Sequence, residues 1–250
     1  MIKLNAVTKV YTSNYAIGPL NLTIPASGLT SLIGPNGAGK SSMLLMIGRL
    51  LAIDGGDIQV ASLDVACAKS GDLARLLAIL RQENHFVTRL SVRQLVGFGR
   101  YPYSKGRLSP TDEAIISKYL DFFNLTEIEH AYLDELSGGQ RQRAYVAMVI
   151  CQETDYVLLD EPLNNLDIAH SVQMMQHLRR AADEFDRTIV VVLHDLNFAA
   201  RYSDNICAMK NGQIKHFGSP KDIITNDILT DLFDTPVTVY DSPQGPTILY

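Results

Sequence analysis

Short runs of β-type residues set off by Gly, Pro, Ser and Asn open the chain, at residues 2–7, 20–24 and 29–33, and predict β-strands. Past a glycine-rich stretch at 34–39 the spacing predicts a helix over 40–50. Residues 92–152 read as mostly helical, with a break at 101–110 where Pro, Gly and Ser cluster. The wholly apolar run 156–159 predicts a buried strand. Residues 168–185 predict a helix, because Ile168, Val172, Met175, Leu178 and Ala182 recur at three- and four-residue spacing. A second wholly apolar run, 189–193, follows. Two buried strands joined by a helix form a βαβ unit, which implies a parallel sheet.

These elements predict an α/β nucleotide-binding core, a mixed sheet flanked by helices, with an α-helical lobe inserted into it. The core spans about 1–86 and 151–220, the helical lobe about 87–150. A short helix and hairpin tail over 221–250 has its turn at 242–245. Composition fits: 250 residues with 46% hydrophobic side chains suffice for one large domain, or one domain with a lobe. The formal net charge of −5 provides no overall basic field for gripping nucleic acid, so no nucleic-acid partner is expected. It does not exclude a nucleotide, whose charge a local loop and a magnesium ion can balance. Cys67, Cys151 and Cys207 are widely spaced, which suits buried small hydrophobes in a reducing compartment better than a disulfide frame or metal site. The N-terminus lacks a signal-peptide pattern, and apolar runs such as 144–151 fall far short of the ~20 residues a spanning helix needs. Action at a membrane therefore calls for a partner.

The candidate chemistry lies at the ends of these elements. Gly34-Pro35-Asn36-Gly37-Ala38-Gly39-Lys40-Ser41 matches G-x-x-x-x-G-K-[ST] between a predicted strand and a predicted helix. Its glycines let backbone N–H groups curl around phosphate oxygens at a helix N-terminus; Lys40 neutralises the β- and γ-phosphates and Ser41, followed by Ser42, ligates Mg²⁺. The strand 156–159 runs into Asp160-Glu161. There Asp160 can hold Mg²⁺ and Glu161 can polarise an attacking water, although an acidic pair alone would read as an ordinary strand end.

Leu136-Ser137-Gly138-Gly139-Gln140-Arg141-Gln142-Arg143 resembles the signature of ABC-type ATPases and stands before a helix predicted over 141–152. The chain is thus identified as similar to the ATP-binding subunits of ABC transporters, within the group that imports ferric siderophores and related iron chelates and cobalamin. The resemblance covers essentially the full length. It implies that Tyr11 stacks on adenine, that Gln82 touches Mg²⁺ and water and senses the permease, and that His194 contacts the γ-phosphate. It further implies that residues 164–167, including Asp167, communicate between two sites. Two copies would sandwich ATP and Mg²⁺, Ser137, Gly138, Gly139 and Gln140 of one facing the phosphate loop of the other. The remaining histidines, His85, His130, His170, His177 and His216, are assigned no function. Leu163 and the Asn164-Asn165 pair depart from the family's commoner residues.

The same resemblance implies an energy-coupling ATPase peripheral to the cytoplasmic face of the cell membrane, working with transmembrane permease subunits and, through them, an extracytoplasmic substrate-binding protein. Tyr101, Tyr103, Arg100 and Arg107 are the anchors expected for a permease helix. Gly99-Arg100-Tyr101-Pro102, the stretch 166–170 and the stretch 192–203 look like those of the iron-chelate group, so the expected cargo is a ferric siderophore. Cobalamin and haem importers share much of that pattern, and soluble iron–sulfur assembly ATPases share the length; both stay open at this point.

Overall fold

The computed structural model describes residues 1–12, 15–82, 89–242 and 245–249. In chain order β1 (Ile2–Thr12), β2 (Tyr15–Ile24), β3 (Gly28–Ile33), α1 (Lys40–Ile47), β4 (Gly55–Val60), β5 (Leu63–Asp64), α2 (Ser70–Leu76) and β6 (Leu77–Leu80) come first. Then follow α3 (Val92–Gly97), α4 (Tyr101–Ser104), α5 (Pro110–Phe122), α6 (Gly138–Cys151), β7 (Tyr156–Leu159) and α7 (Ile168–Glu184). The rest is β8 (Thr188–Val192), α8 (Leu196–Tyr202), β9 (Asn205–Lys210), β10 (Gln213–Gly218), α9 (Pro220–Ile223), α10 (Asn226–Phe233), β11 (Thr238–Ser242) and β12 (Gly245–Leu249).

Two compact units result, Met1–Ala68 with Thr188–Tyr250, and Lys69–Arg187. In the first, β3 lies between β8 and β9 and runs parallel to both, with Leu29 opposite Ile189 and Leu32 opposite both Val192 and Cys207. β10 returns antiparallel to β9, so this sheet is mixed. Burial of β8 on both faces explains its wholly apolar run, while in β3 the polar Thr30 and Ser31 are buried along with Leu29, Leu32 and Ile33. A second, antiparallel sheet has the order β2-β1-β4-β5, with Ile2 opposite both Ile24 and Val60. β1 extends well past residue 7 because bulges absorb its polar positions. The helix α1 ends at Ile47, short of residue 50, where Gly48 takes the C-cap.

In the second unit β6 and β7 pair in parallel, Leu77 opposite Tyr156 and Leu80 opposite Leu159. The helices α3, α5 and α6 pack together through Val92, Leu95, Val96, Ile116, Leu120, Val146 and Ile150, all buried. α6 starts earlier than the spacing predicts. Ser137 accepts from the Gln140 N–H and the Gln140 side chain accepts from the Ser137 N–H, a capping box that sets the helix start at Gly138. The expected break at 101–110 contains one helical turn, α4, because Pro102 sits where a first-turn N–H has no helical partner to lose. The buried face of α7 is Ser171, Met174, Met175, His177, Leu178, Ala181 and Ala182; it contains Met175, Leu178 and Ala182 of the expected stripe, while Val172 is half-buried and Ile168, at the first helical position, is 82% exposed. The hairpin β11–β12 forms in the tail; residues 243 and 244 of its expected turn lie outside the described residues.

Candidate functional site

The phosphate-loop residues belong to the first unit. β3 delivers the chain into Gly34, whose φ of 143° no L side chain adopts readily, and a Cβ there would meet the Met209 carbonyl at 2.0 Å. Gly37 and Gly39 also have left-handed φ, 77° and 99°, and nothing lies within 4 Å of where a Gly37 Cβ would stand. The loop thus turns back on itself with its tip, Asn36 and Gly37, exposed, while Ala38 and Gly39 are buried at the head of α1. Lys40 is 5% exposed; its Nζ donates to the carbonyls of Gly34 at 2.7 Å and Pro35 at 3.0 Å, holding the loop around the ammonium. Ser41 and Ser42 are partly exposed on the first turn of α1.

Two tyrosines frame this loop. Tyr11 on β1 donates from its hydroxyl to Ser42 Oγ at 2.8 Å, and Tyr15 on β2 donates to the Gly37 carbonyl at 2.9 Å. Their ring centroids are 5.6 Å apart and both are over 40% exposed, so an aromatic face is available to a flat base. Tyr11 is legible in the sequence and Tyr15 is not, because residue spacing alone cannot say that the two strand ends meet over one loop. His194 follows β8 and is exposed, and Asp195 after it caps α8 by accepting from the N–H groups of Asn197 and Phe198. The imidazole borders a cavity of about 260 Å³ shared with Leu196, Phe233, Thr235 and Val237.

The carboxylates belong to the second unit. Asp160 is 4% exposed at the tip of β7, with its N–H bonded to the Leu80 carbonyl at 3.0 Å. The chain then turns through Glu161 in a left-handed conformation, φ 52°, which costs a non-glycine residue about 1 kcal/mol. That turn aims the Glu161 carboxylate at Gln82 just past β6: Gln82 Nε2 donates to Glu161 Oε2 at 2.9 Å, and Asn164 Nδ2 donates to the same oxygen. Asn164, which opens the 164–167 loop and departs from the family's commoner residue, is here a second amide on the carboxylate. Asp167 caps α7, accepting on Oδ1 from the His170 N–H and lying 2.8 Å from His170 Nδ1. Those bonds, the backbone one first, hold its carboxyl below the usual carboxylate range. Ser137 and Gly138 are exposed, Gln140 is partly exposed, and Gly139 is buried.

The donors suit the ligands expected of them. Ser41, Gln82 and Asp160 offer hydroxyl, amide and carboxylate oxygens, the hard set magnesium prefers over nitrogen and sulfur. The left-handed glycines and open tip at Gly37 make a cradle for phosphate oxygens. Among the described residues no cluster of three or more His, Cys, Asp or Glu side chains stands ready for a transition metal.

The expected permease-docking stretch divides. Tyr101 is 60% exposed, and Tyr103 and Arg107 are also at the surface. Arg100 is not an anchor: it is 5% exposed, and its guanidinium donates to Asp112 Oδ1 at 3.0 Å, the Cys151 carbonyl at 3.0 Å and Glu153 Oε2 at 3.3 Å while lying over the Tyr103 ring. Its role is to tie α5 and the end of α6 to the turn before α4. No helix among the described residues is long and apolar enough to cross a membrane.

A nucleotide cradle, a strand-tip carboxylate pair and a capped Ser-Gly-Gly helix start coincide with a match to the ABC transporter domain over residues 17–164. The chain belongs to the ABC transporter family and is an ATPase of that family. It is 67% identical over its full length to the Petrobactin import ATP-binding protein FatE of Bacillus anthracis, with all of both chains covered. It is 44% identical to the Petrobactin import ATP-binding protein YclP of Bacillus subtilis, covering 96% of this chain and 95% of that one. Among solved structures it superposes on a single chain of the ATP-binding cassette MJ0796, solved as a dimer in a post-hydrolysis state bound to ADP and Pi. There the TM-score is 0.77 at 27% identity, over 88% of this chain and 99% of the other. The α/β cassette fold expected from the sequence is therefore the fold of the chain.

Proposed function

We propose that this chain is the ATP-hydrolysing subunit of an importer for ferric siderophores of the petrobactin class, working as two copies on the cytoplasmic face of the membrane beneath a permease. An extracytoplasmic binding protein supplies the cargo to that permease. The core lobe, about 1–86 and 151–220, carries the nucleotide, and the helical lobe, about 87–150, presents the signature helix to the second copy. Full-length identity of 67% to a petrobactin import ATP-binding protein carries the cargo assignment.

In this reading the backbone of residues 34–39 and Lys40 bind the phosphates, Ser42 continues the helix start, and Tyr11 stacks on adenine. Ser41, Asp160 and Gln82 hold magnesium, which when bound neutralises phosphate charge. Glu161, aimed by Gln82 and Asn164, takes the proton of the attacking water, and His194 steadies the γ-phosphate. Ser137, Gly138, Gly139 and Gln140 of one copy complete the site of the other, and Asp167 links the two sites. A dimeric arrangement is supported by the solved dimer of the related cassette.

The test is uptake. Deleting the gene should abolish growth on ferric petrobactin as sole iron source, and a Lys40→Ala version should not restore it. Unimpaired uptake of labelled ferric siderophores, with cobalamin or haem uptake lost instead, would overturn the cargo assignment and leave the ATPase standing.

A further inference from the structure

Asp167 needs only one bond to cap α7, and the His170 backbone N–H supplies it at 2.8 Å. The same oxygen also has the His170 ring: Nδ1 lies 2.8 Å from Oδ1. On its other side that ring lies against the start of α6. A Cβ built on Gly139 would stand 2.8 Å from His170 Cδ2, 2.9 Å from Cγ and 3.2 Å from Nε2, closer than side chains pack. Gly138 faces the same loop, its Cβ position 3.8 Å from the Asn165 carbonyl. One imidazole thus touches both Asp167, at the end of the loop, and Gly139, at the start of the signature helix, while Asp167 keeps 65% of its side chain exposed.

We propose that His170 is a positioning residue that locks the Asp167 carboxylate to the Ser137–Gly138–Gly139 helix start, so that both reach the second copy of the chain as one surface. The physical reason lies in the two contacts together. Gly139 has no side chain, so the ring can seat on its backbone, and the seated ring fixes the direction in which Nδ1–H points at Asp167. Neither contact is part of the cradle formed by residues 34–42, so His170 should govern completion of the shared site without changing nucleotide capture by a single chain. This rests on the two-copy reading of the proposed function.

Three substitutions separate the contacts. His170→Ala removes both, His170→Asn keeps an N–H donor near the Nδ1 position, and His170→Phe keeps a ring against Gly139 without the donor. Affinity of the isolated chain for a fluorescent ATP analogue should be unchanged in all three. In the assembled transporter kcat should fall about tenfold for His170→Ala with KM nearly constant, and by about threefold for His170→Asn and His170→Phe, each of which keeps one of the two contacts. ATP-induced dimerisation of the Glu161→Gln chain should weaken in the same order. Native kcat in His170→Ala, or native kcat in either single-contact variant with an unchanged melting curve, would overturn the proposal. Failure of the native chain itself to bind the analogue or to dimerise would instead strike the underlying function.

Discussion

The Gln82 side-chain amide donates to Glu161 Oε2 at 2.9 Å, across the tips of two paired parallel strands. Because Glu161 adopts φ 52°, the carboxylate is aimed by the backbone as well as by its partners. Replacing Glu161 by Gln preserves shape and lets the new carbonyl accept from Gln82, but removes the basic oxygen. We expect ATP binding within about twofold of native and kcat lower by about 10²–10⁴. Equilibrium binding alongside phosphate release in the assembled transporter checks this; near-native turnover would remove Glu161 from the chemistry.

Lys40 holds the carbonyls of Gly34 and Pro35 and is placed to exchange them for phosphate oxygens. Lys40→Ala should weaken ATP binding by roughly 10–100-fold, the worth of about 1.5–3 kcal/mol for hydrogen bonds to a charged group. Isothermal titration is the measurement, and an unchanged Kd would contradict the role.

Arg100 makes the opposite case, a residue whose loss acts through the fold. Its partner Asp112 is held below the usual carboxylate range by bonds from the Ser109 backbone, the Ser109 hydroxyl and then Arg100 itself. Arg100→Ala leaves buried Asp112 with only its Ser109 bonds and takes the side-chain donor from the Cys151 carbonyl, and should destabilise by about 3–5 kcal/mol in urea unfolding. Tyr101→Ala, at a 60% exposed position, should leave the unfolding midpoint unmoved, which makes it the cleaner probe of permease docking.

His177 is 6% exposed between Phe122 and Phe123, and burial lowers its pKa below the ordinary histidine value. The folded chain therefore binds this proton less readily than the unfolded chain. The stability it contributes is complete above the unfolded value of about 6.5 and is lost as pH falls from there through the folded pKa. Thermal melts from pH 7.5 to pH 5 should show a falling midpoint, and His177→Gln should flatten that slope. Equal slopes in the two proteins would mean that other groups cause the acid loss.

The sequence made the loop at 34–42, the strand tip at Asp160 and the signature helix readable because each couples a fixed residue spacing to a change of hydrophobic period. Strands β9 and β10 and the short β4–β5 pair went unread, since their apolar positions lack a period long enough to separate strand from loop. The exposed Ile168 shows the limit of counting spacings: a periodic apolar residue at a helix start can face outward when the loop before it ends in a cap such as Asp167. The contacts of Tyr15, Asn164 and His170 are illegible in the sequence for another reason. They run to Gly37, Glu161 and Gly139, and only the fold brings those partners within reach.

The tyrosine pair over the phosphate loop has a practical consequence for following this protein in solution. The chain has no tryptophan, so its ultraviolet emission is dominated by tyrosine. An indole introduced by Tyr15→Trp would be the sole long-wavelength emitter, set beside Tyr11 and above Gly37. Stacking of a purine nearby would quench it, turning each capture and release of nucleotide into a change of brightness readable on the millisecond scale in a stopped-flow cell.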